Sequence, residues 1–164
     1  VNSKVRSILA NEYPEVFKFN QVQDFKAFKT FQVPRVQDLP GADETWDKCF
    51  HVWQSKYGEL ICPPSTDGGL TCTCTMEASG SESFDSLMPN AESCAAFLLK
   101  HYPTAFPSSL MSDDTFWEQF AAKQPTQLRS TYCSRLSVGR VALVGDAGHS
   151  MWASLGQGTN CALE

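Results

Sequence analysis

A glycine and an aspartate, Gly145 and Asp146, directly follow four consecutive apolar residues, Val141 to Val144. Such an unbroken apolar run predicts a short strand buried on both faces of a parallel sheet. A carboxylate just past the carboxyl end of a parallel strand lies where open α/β sheets bind their ligands, and it can accept hydrogen bonds from ribose hydroxyls. Asp146 is therefore the first candidate for a ligand contact.

A glycine-rich segment, Gly156-Gln157-Gly158, follows a short loop further along the chain. The next residues, Thr159 to Glu164, are predicted to form the first turns of a helix. Glycines before a helix allow a ligand to approach the backbone, and the N–H groups of the first turn carry partial positive charge. The pattern indicates an anion-binding turn, and turn formation alone is the alternative interpretation of these glycines.

Together these residues resemble the second FAD-binding motif of the class A flavoprotein aromatic hydroxylases, which usually reads GDAAH and then, after a proline-containing loop, GQGxNxxxED. The matching positions are Gly145-Asp146-Ala147-x-His149 and Gly156-Gln157-Gly158-x-Asn160-x-Ala162-Leu163-Glu164. The resemblance implies that Asp146 holds the ribityl or ribose part of FAD. The residues implied to form the turn and helix start against the pyrophosphate and flavin are Gly156, Gln157, Gly158, Thr159 and Asn160. It also implies NADPH or NADH as the reductant and O2 as a co-substrate.

His149 is interpreted as a structural histidine that fixes the loop after Asp146, rather than as a general base. In a flavin enzyme the cofactor carries the difficult chemistry, and the protein contributes binding, orientation and electrostatics. No catalytic acid, base or nucleophile is therefore assigned.

The first nine residues are predicted to form a short amphipathic helix, with Val5, Ile8 and Leu9 at helical spacing and basic residues beside them. Ser3, Val5 and Arg6 resemble the last fixed residues of the same family's other signature, Gly-Ala-Asp-Gly-x-x-Ser-x-Val-Arg. An ordinary exposed basic helix is the alternative.

The middle of the chain alternates apolar and polar residues in short runs, which is typical of antiparallel strands. Strands are predicted over Lys29–Val33, Cys49–Trp53, Glu59–Cys62 and Leu70–Met76, and a strand-like run over Leu128–Cys133. The turn at 65–69 joins the third and fourth into a hairpin. Helices are predicted over Ser83–Leu87, Ala91–His101 and Asp113–Ala121.

This middle region resembles the substrate domain of the kynurenine 3-monooxygenases, a branch of the same family. The resemblance rests on His51-Val-Trp53, Leu60-Ile-Cys-Pro-Pro64, Leu70-Thr-Cys-Thr73 and Phe97-Leu-Leu-Lys-His-Tyr-Pro-Thr-Ala-Phe106. It implies a substrate pocket that includes Leu70, Ala153, Ser154 and Leu155. Leu70 replaces a pocket phenylalanine of that branch, and Ala153-Ser154-Leu155 replaces Pro-Phe-Phe, so the identity of the substrate is left open.

The fold class expected is α/β for the family and α+β within this chain: an FAD/NAD(P)-binding fold with an inserted antiparallel-sheet substrate domain. We expect residues 1–12 to end a first FAD-domain segment, residues 13–135 to form the substrate domain, and residues 136–164 to return to the FAD-binding domain. The chain does not begin with Met and ends at Glu164 inside a predicted helix, so we expect it to be part of a longer protein.

The amino-acid composition limits the classes of partner that the protein is expected to bind. The net charge of -5 offers no basic surface, which argues against nucleic acid as a partner. Neither a membrane-spanning apolar run nor a signal peptide is evident, so an intracellular location, cytoplasmic or at the mitochondrial outer membrane, is expected, with membrane attachment only through sequence outside the chain. The seven cysteines are interpreted as reduced core residues rather than metal ligands.

The function expected from sequence is an FAD-dependent, NAD(P)H-consuming monooxygenase that hydroxylates a small aromatic substrate, with L-kynurenine to 3-hydroxykynurenine as the nearest precedent. One alternative is another flavin hydroxylase or epoxidase of the same fold with a larger apolar substrate. A second is a non-catalytic fragment that serves as an interaction domain. Because the first dinucleotide-binding motif is absent from these residues, we expect the 164 residues alone to bind FAD poorly.

Overall fold

The computed structural model describes residues 2–42, 45–151 and 157–163. The chain divides into two compact units. Unit 1 comprises residues 1–24 and 128–164, and unit 2 comprises residues 25–127, so unit 2 is inserted in the sequence of unit 1. The domain limits expected from sequence, after residue 12 and before residue 136, stay a prediction. None of the described helices has the length and apolar character needed to cross a membrane.

Unit 2 contains an antiparallel sheet with the strand order β2-β3-β4-β1. The strands are β1 (Phe19–Val33), which enters unit 2 at residue 25, β2 (His51–Ser55), β3 (Gly58–Cys62) and β4 (Leu70–Glu77). Leu60 of β3 lies opposite Cys74 of β4 in the hairpin. The antiparallel sheet and the hairpin are therefore confirmed, although β1 begins well before the predicted Lys29.

The helices of unit 2 are α2 (Phe84–Leu87), α3 (Ala91–His101), α4 (Ser108–Met111) and α5 (Asp114–Ala122), with 3-10 turns at Val36–Asp38 and Trp46–Lys48. A capping box begins α3: the Asn90 side chain accepts from the Ser93 N–H at 2.9 Å, and the Ser93 hydroxyl accepts from the Asn90 N–H at 3.1 Å. The Asp113 carboxylate caps α5 in the same way, accepting from the Phe116 N–H at 3.1 Å. The predicted helices are confirmed.

The core of unit 2 is aromatic. The ring centroid of Phe31 on β1 lies 6.3 Å from Phe106, 5.7 Å from Phe116 and 5.2 Å from Phe120, the last two edge to face. Such edge-to-face pairs add about 0.5–1.5 kcal/mol beyond the area they bury. Period-two alternation on β1 explains the arrangement, because Ala27, Phe31 and Val33 all point into this core.

Three tryptophans belong to unit 2. Trp53 stacks on His51 at 5.2 Å and donates from its indole N–H to the Thr104 hydroxyl at 3.0 Å, while Trp46 packs edge-on against Trp53. Trp117 is buried and donates to the Met111 carbonyl oxygen at 3.2 Å. These contacts assign packing roles to the three side chains.

Lys29 lies in this core with 4% of its surface exposed, which the sequence did not indicate. Its ammonium group donates to the carbonyl oxygens of Phe120 and Ala121, at 3.4 and 3.3 Å, at the end of α5. It also lies 5.3 Å from the ring centroid of Phe84 and 5.2 Å from that of Phe120. A lysine at a helix C-terminus is favoured by the helix dipole, whereas burial lowers the pKa of Lys29 below 10.5.

Unit 1 contains α1 (Lys4–Glu12), the first residues of β1, β5 (Thr126–Cys133), which enters unit 1 at residue 128, β6 (Ser137–Val138), β7 (Val141–Ala142), α6 (Asp146–His149) and α7 (Gly158–Leu163). β1 lies beside β5. The Lys18 N–H donates to the Ser134 hydroxyl at 2.9 Å, and the Ser134 N–H donates to the Lys18 carbonyl oxygen at 2.8 Å. Leu9, Phe17 and Leu143 form the small core of this unit.

The predicted strand over Val141–Val144, buried on both faces of a parallel sheet, is wrong. Only Val141 and Ala142 are extended, and they pair antiparallel with β6 through a turn at Gly139, whose φ is 57°. Val141 is 40% and Val144 66% exposed, while Leu143 alone of the run is buried. The physical reason is that an apolar run is covered on both faces only inside a wide layered sheet, and a two-stranded hairpin does not provide one.

Candidate functional site in unit 1

Gly145 forms the sharp turn that ends the β6–β7 hairpin and begins α6. Its φ of 61° and ψ of -141° lie in a region that only glycine adopts without strain. The Gly145 carbonyl oxygen accepts from the N–H groups of Gly148 and His149, at 2.9 and 3.0 Å, which closes the single turn of α6. Asp146, the first residue of that turn, is exposed, so its carboxylate is open to a ligand.

Arg6 holds this turn from α1. The residue is 2% exposed, and its guanidinium donates to the carbonyl oxygens of Ala147, at 2.8 Å, and Asp146, at 3.4 Å. The guanidinium carbon also lies 4.9 Å from the ring centroid of Phe19. The two signature segments, far apart in sequence, thus meet through one buried side chain.

The amphipathic face predicted for α1 is only partly correct. Leu9 is buried, but Val5 and Ile8 are 47% and 51% exposed, and Arg6 takes the inward position instead. The helix begins at Ser3, whose hydroxyl accepts from the Arg6 N–H at 3.2 Å. The charged guanidinium can be buried here because two carbonyl oxygens and the face of an aromatic ring take the place of the water molecules that would otherwise solvate it.

Cys133 lies close to the same group. Burial raises the pKa of the Cys133 thiol, and the Arg6 charge opposes that increase. The thiol is therefore neutral near pH 7 and acts as a packing group beside Phe17, Leu9 and Leu143.

Ser150, directly after α6, attaches the chain to β5. Its hydroxyl donates to the Arg129 carbonyl oxygen at 2.9 Å and lies 2.6 Å from the hydroxyl oxygen of Thr131. The Thr131 N–H donates to the Ser150 carbonyl oxygen at 2.9 Å, and the Gln21 amide donates to the Thr131 hydroxyl at 3.1 Å. Ser150 and Thr131 are 5% and 2% exposed, so this is a buried, mutually satisfied polar network.

The helix expected after the glycine-rich segment is confirmed as α7. The Cys161 N–H donates to the Gln157 carbonyl oxygen at 2.9 Å, and the Asn160 amide donates to the Gln157 side-chain oxygen at 3.2 Å. Gln157, Thr159 and Asn160 are exposed, and a Cβ placed on Gly158 would meet no atom within 4 Å. The backbone at the start of α7 is therefore open to close approach.

The two halves of the motif lie together. A Cβ placed on Gly145 would come 3.5 Å from the Cβ of Ala162, so α7 packs directly against the Gly145 turn. Of the predicted cofactor residues, Asp146 and the segment Gln157–Asn160 are thereby brought to one side of unit 1. Gly156, also predicted, lies outside the described residues, as do the predicted pocket residues Ala153, Ser154 and Leu155.

Gly148 occupies the position where the family motif usually has alanine. A Cβ there would lie 2.7 Å from the Cδ2 of Leu136 and 3.4 Å from the Leu143 carbonyl oxygen. In this chain Leu136 therefore fills the space that an alanine methyl group would need. The glycine at this position therefore allows Leu136 to pack beneath α6.

The remaining candidate residues lie elsewhere. Leu70 is 1% exposed in the aromatic core of unit 2, and its predicted role in a substrate pocket stays a prediction. His149 is half-buried in α6. His51 contacts the Trp46 carbonyl oxygen through Nε2 at 2.8 Å. Across the described parts of the chain, no group of three His, Cys, Asp or Glu side chains is placed to hold a metal ion.

Sequence reasoning did not find the buried network of Ser150 and Thr131, because a serine and a threonine far apart in sequence carry no recognisable pattern. Arg6 had a signal, since it ends the segment that resembles the family's other signature. The sequence alone did not indicate that its guanidinium would lie beneath the Gly145–Asp146 turn.

Residues 20–164 match the FAD binding domain family. The chain is 30% identical over 163 residues to a kynurenine 3-monooxygenase of Cryptococcus neoformans var. neoformans serotype D (strain JEC21), covering 99% of this chain and 31% of the relative. It is 32% identical over 151 residues to a kynurenine 3-monooxygenase of Flavobacterium psychrophilum, covering 89% of this chain and 32% of that protein.

Among solved structures, 2-methyl-3-hydroxypyridine-5-carboxylic acid oxygenase (the Y270A mutant) superposes with a TM-score of 0.66 at 19% identity, covering 90% of this chain and 37% of the other. This similarity supports the fold, and the predicted fold class is confirmed. The chain spans about a third of the length of the curated relatives that it matches. The match over most of its length shows that the chain belongs to the FAD binding domain family.

Proposed function

We propose that this chain is part of an FAD-dependent monooxygenase that hydroxylates a small aromatic substrate at the expense of NADPH or NADH and O2. The family match supports FAD as the cofactor. The names of the relatives in Cryptococcus and Flavobacterium support monooxygenation, and they make L-kynurenine the first substrate to test, with 3-hydroxykynurenine as the product.

The observation that carries the proposal is the packing of α7 against the Gly145 turn, 3.5 Å from a Cβ placed on Gly145 to the Cβ of Ala162. It places the exposed Asp146 carboxylate and the exposed residues at the start of α7 within one small region of unit 1. A sugar-phosphate ligand needs hydrogen-bond acceptors for its hydroxyls and donors for its phosphates, and this region offers both. The residues present therefore fit FAD.

Each group has a distinct task in this proposal. Asp146 accepts hydrogen bonds from the sugar hydroxyls, and the N–H groups of Gly158, Thr159 and Asn160 donate to anionic oxygens. Arg6 fixes the carbonyl oxygens of Asp146 and Ala147, so that the Asp146 carboxylate keeps its direction. The flavin, when bound, supplies the redox chemistry that activates O2.

The choice of substrate is a separate question. The family's loop commonly has Pro-Phe-Phe where this chain has Ala153-Ser154-Leu155, and Leu70 stands where the kynurenine branch has a phenylalanine. Smaller side chains leave more room in an apolar pocket, which favours a larger apolar substrate as the second candidate.

The experiment uses the complete polypeptide that carries residues 1–164, purified with FAD. We expect substrate-dependent oxidation of NADPH or NADH in the presence of L-kynurenine, and 3-hydroxykynurenine identified by mass spectrometry. Bound FAD with NAD(P)H oxidation stimulated only by larger aromatic compounds would assign the second substrate class. A polypeptide that takes up no FAD would contradict both and favour a non-catalytic interaction domain.

Substitution of Asp146 tests the site itself. Asp146→Asn keeps the shape of the side chain and removes the charge, and hydrogen bonds to charged groups contribute about 1.5–3 kcal/mol. We therefore expect the Kd for FAD to rise by about tenfold or more, measured by quenching of flavin fluorescence. Glu118→Gln, at an exposed position on α5, is the matched control and should leave the Kd unchanged. Equal Kd values for the Asp146→Asn variant and the wild type would reject the assignment.

A further inference from the structure

Two cysteines face each other across the β3–β4 hairpin of unit 2. Ile61 lies opposite Thr73, and Pro64 forms a bridge with Leu70, so the register is unbroken between these pairs. Cys62 therefore lies directly opposite Cys72. The Thr71 N–H donates to the Pro63 carbonyl oxygen at 3.0 Å. Pro63 and Thr71 are therefore a hydrogen-bonded pair, and the adjacent pair, Cys62 and Cys72, is a non-hydrogen-bonded one.

This alternation gives the cysteine pair the shorter spacing in the sheet. In an antiparallel ladder, residues at a non-hydrogen-bonded pair have Cα atoms about 4.5 Å apart, with their side chains close together. Disulfides need Cα atoms about 4.4–6.8 Å apart. The backbone register thus satisfies the main geometric requirement for a bond between the two sulfur atoms.

The two side chains share one environment. Cys62 and Cys72 are each 1% exposed on the same buried face. Burial, and then the neighbouring Cys62 thiol, raise the pKa of the Cys72 thiol. The neighbouring cysteines are placed differently. Cys74, one pleat further along β4, lies opposite Leu60, and the Cys94 thiol donates to the Met88 carbonyl oxygen at 3.5 Å.

We propose that Cys62 and Cys72 form a dithiol that hydrogen peroxide oxidises to an intrachain disulfide, a modification site in the sheet of unit 2. The sulfur of one cysteine attacks the O–O bond of peroxide, which yields a sulfenic acid and one water molecule. The second sulfur then attacks the first, so that the S–S bond forms, the S–O bond breaks and a second water molecule leaves. Two thiols lose two protons and two electrons, and one peroxide is reduced to two water molecules.

The surroundings set the rate of this reaction. Burial raises the pKa of the Cys72 thiol, so little thiolate is present at neutral pH and attack on peroxide is slow. Cys49 is exposed and should react with peroxide sooner, but it lies outside the β3–β4 hairpin that pairs Cys62 with Cys72, so we expect it to stop at the sulfenic acid or higher oxides. The Cys62–Cys72 pair is therefore identified by which disulfide forms, and not by which cysteine is oxidised first.

The first experiment uses the wild-type complete polypeptide. The protein is treated with hydrogen peroxide in its folded state, unfolded with N-ethylmaleimide to block the remaining thiols, and cleaved before aspartate, which separates the two cysteines at Asp67. We expect peptides 47–66 and 67–84 to be joined by a disulfide and separated again by dithiothreitol. Because these peptides also contain Cys49 and Cys74, fragmentation of the joined pair should locate the bond at Cys62 and Cys72, with N-ethylmaleimide or added oxygen on the other two cysteines. This bond should be the main intramolecular disulfide.

Oxidation in urea is the control for geometry. Once the register is lost, other pairs among the seven cysteines should form, and the share of the Cys62–Cys72 pair should fall several-fold. Cys72→Ser should abolish the linked pair, whereas Cys74→Ser, on the same strand and face, should retain it. Folded wild-type protein in which Cys62 and Cys72 remain fully alkylated after the other cysteines have oxidised would overturn the proposal. So would joined peptides whose pairs are the same in folded and unfolded protein.

Discussion

The Arg6 guanidinium donates a hydrogen bond of 2.8 Å to the carbonyl oxygen of Ala147, across almost the whole length of the sequence. This contact joins α1 to the turn that presents Asp146. Because the acceptors are backbone carbonyl oxygens, the position of the turn depends on Arg6 rather than on the identity of the side chains in α6.

Replacement of Arg6 by methionine should destabilise unit 1 and weaken FAD binding together. Methionine preserves much of the packing, but the carbonyl oxygens of Ala147 and Asp146 lose a charged donor, which costs about 1.5–3 kcal/mol. Urea unfolding of the complete polypeptide would measure the loss, and flavin fluorescence would measure the Kd. Lys4→Met, on the exposed side of the same helix, is the matched control and should change neither value. A stable Arg6→Met protein with wild-type FAD affinity would disprove the role assigned to Arg6.

The hydroxyls of Ser150 and Thr131 should be energetically coupled. Ser150→Ala removes the hydroxyl that donates to the Arg129 carbonyl oxygen and leaves the Thr131 hydroxyl with the Gln21 amide, for an expected loss of about 1–3 kcal/mol. Thr131→Val should cost a similar amount, and the double variant should cost less than the sum, because the second change removes a group that has already lost one partner. Urea unfolding of the four proteins completes the cycle, with exposed Ser7→Ala as the control. Strict additivity would argue against a shared network.

Lys29 should make the stability of unit 2 rise with pH. Burial holds the pKa of Lys29 below its ordinary value of 10.5, so between the two values the unfolded chain binds more protons than the folded one. Stability then increases as pH rises through this interval. The free energy of unfolding of the wild type, relative to Lys29→Met, should therefore increase as the pH is raised towards 10.5, the ordinary pKa of a lysine. Lys48→Met, at an exposed position, should show no such trend, and a flat difference for Lys29→Met would contradict the prediction.

Gly58 should tolerate no side chain. A Cβ there would lie 1.8 Å from the Thr75 carbonyl oxygen, a backbone atom that cannot move aside without disturbing β4. Gly58→Ala should cost about 1–3 kcal/mol or more through overpacking. Gly80→Ala provides the comparison, since a Cβ there meets nothing within 4 Å and the cost arises from its φ of 92° alone, about 1–2 kcal/mol. The urea midpoints of unfolding would compare the two variants. Equal losses of stability would show that the backbone of β4 moves to make room for the added methyl group.

The strands and helices of unit 2 could be predicted because their signals are local. Alternation over Leu70–Met76 and the caps at Asn90 and Asp113 each specify an element within a few residues. The strand predicted over Val141–Val144 could not be judged in this way. An apolar run indicates that a strand will be buried. The number of neighbouring strands, and whether they run parallel or antiparallel to it, depend on residues elsewhere in the sequence.

The candidate site shows the same division. Asp146 and the start of α7 could be proposed from sequence because the family motif fixes their order and spacing, and their role in holding a cofactor stays a prediction. The buried positions of Arg6 and Lys29 were not found, since charged residues are read as surface groups unless their partners are known. In both cases the partners are backbone carbonyl oxygens, which any sequence contains.

The tryptophan contacts of unit 2 have a spectroscopic consequence. Trp46, Trp53 and Trp117 all belong to that unit, and the fourth indole, Trp152, lies in the sequence range of unit 1, outside the described residues. In the 164 residues, a Trp152→Phe variant would therefore keep tryptophan only in residues 25–127, and its intrinsic emission would report on unit 2. Because the indoles of Trp53 and Trp117 donate to Thr104 and to the Met111 carbonyl oxygen, their emission should shift to longer wavelength when water replaces those acceptors. The melting of unit 2 could then be recorded optically, apart from that of unit 1.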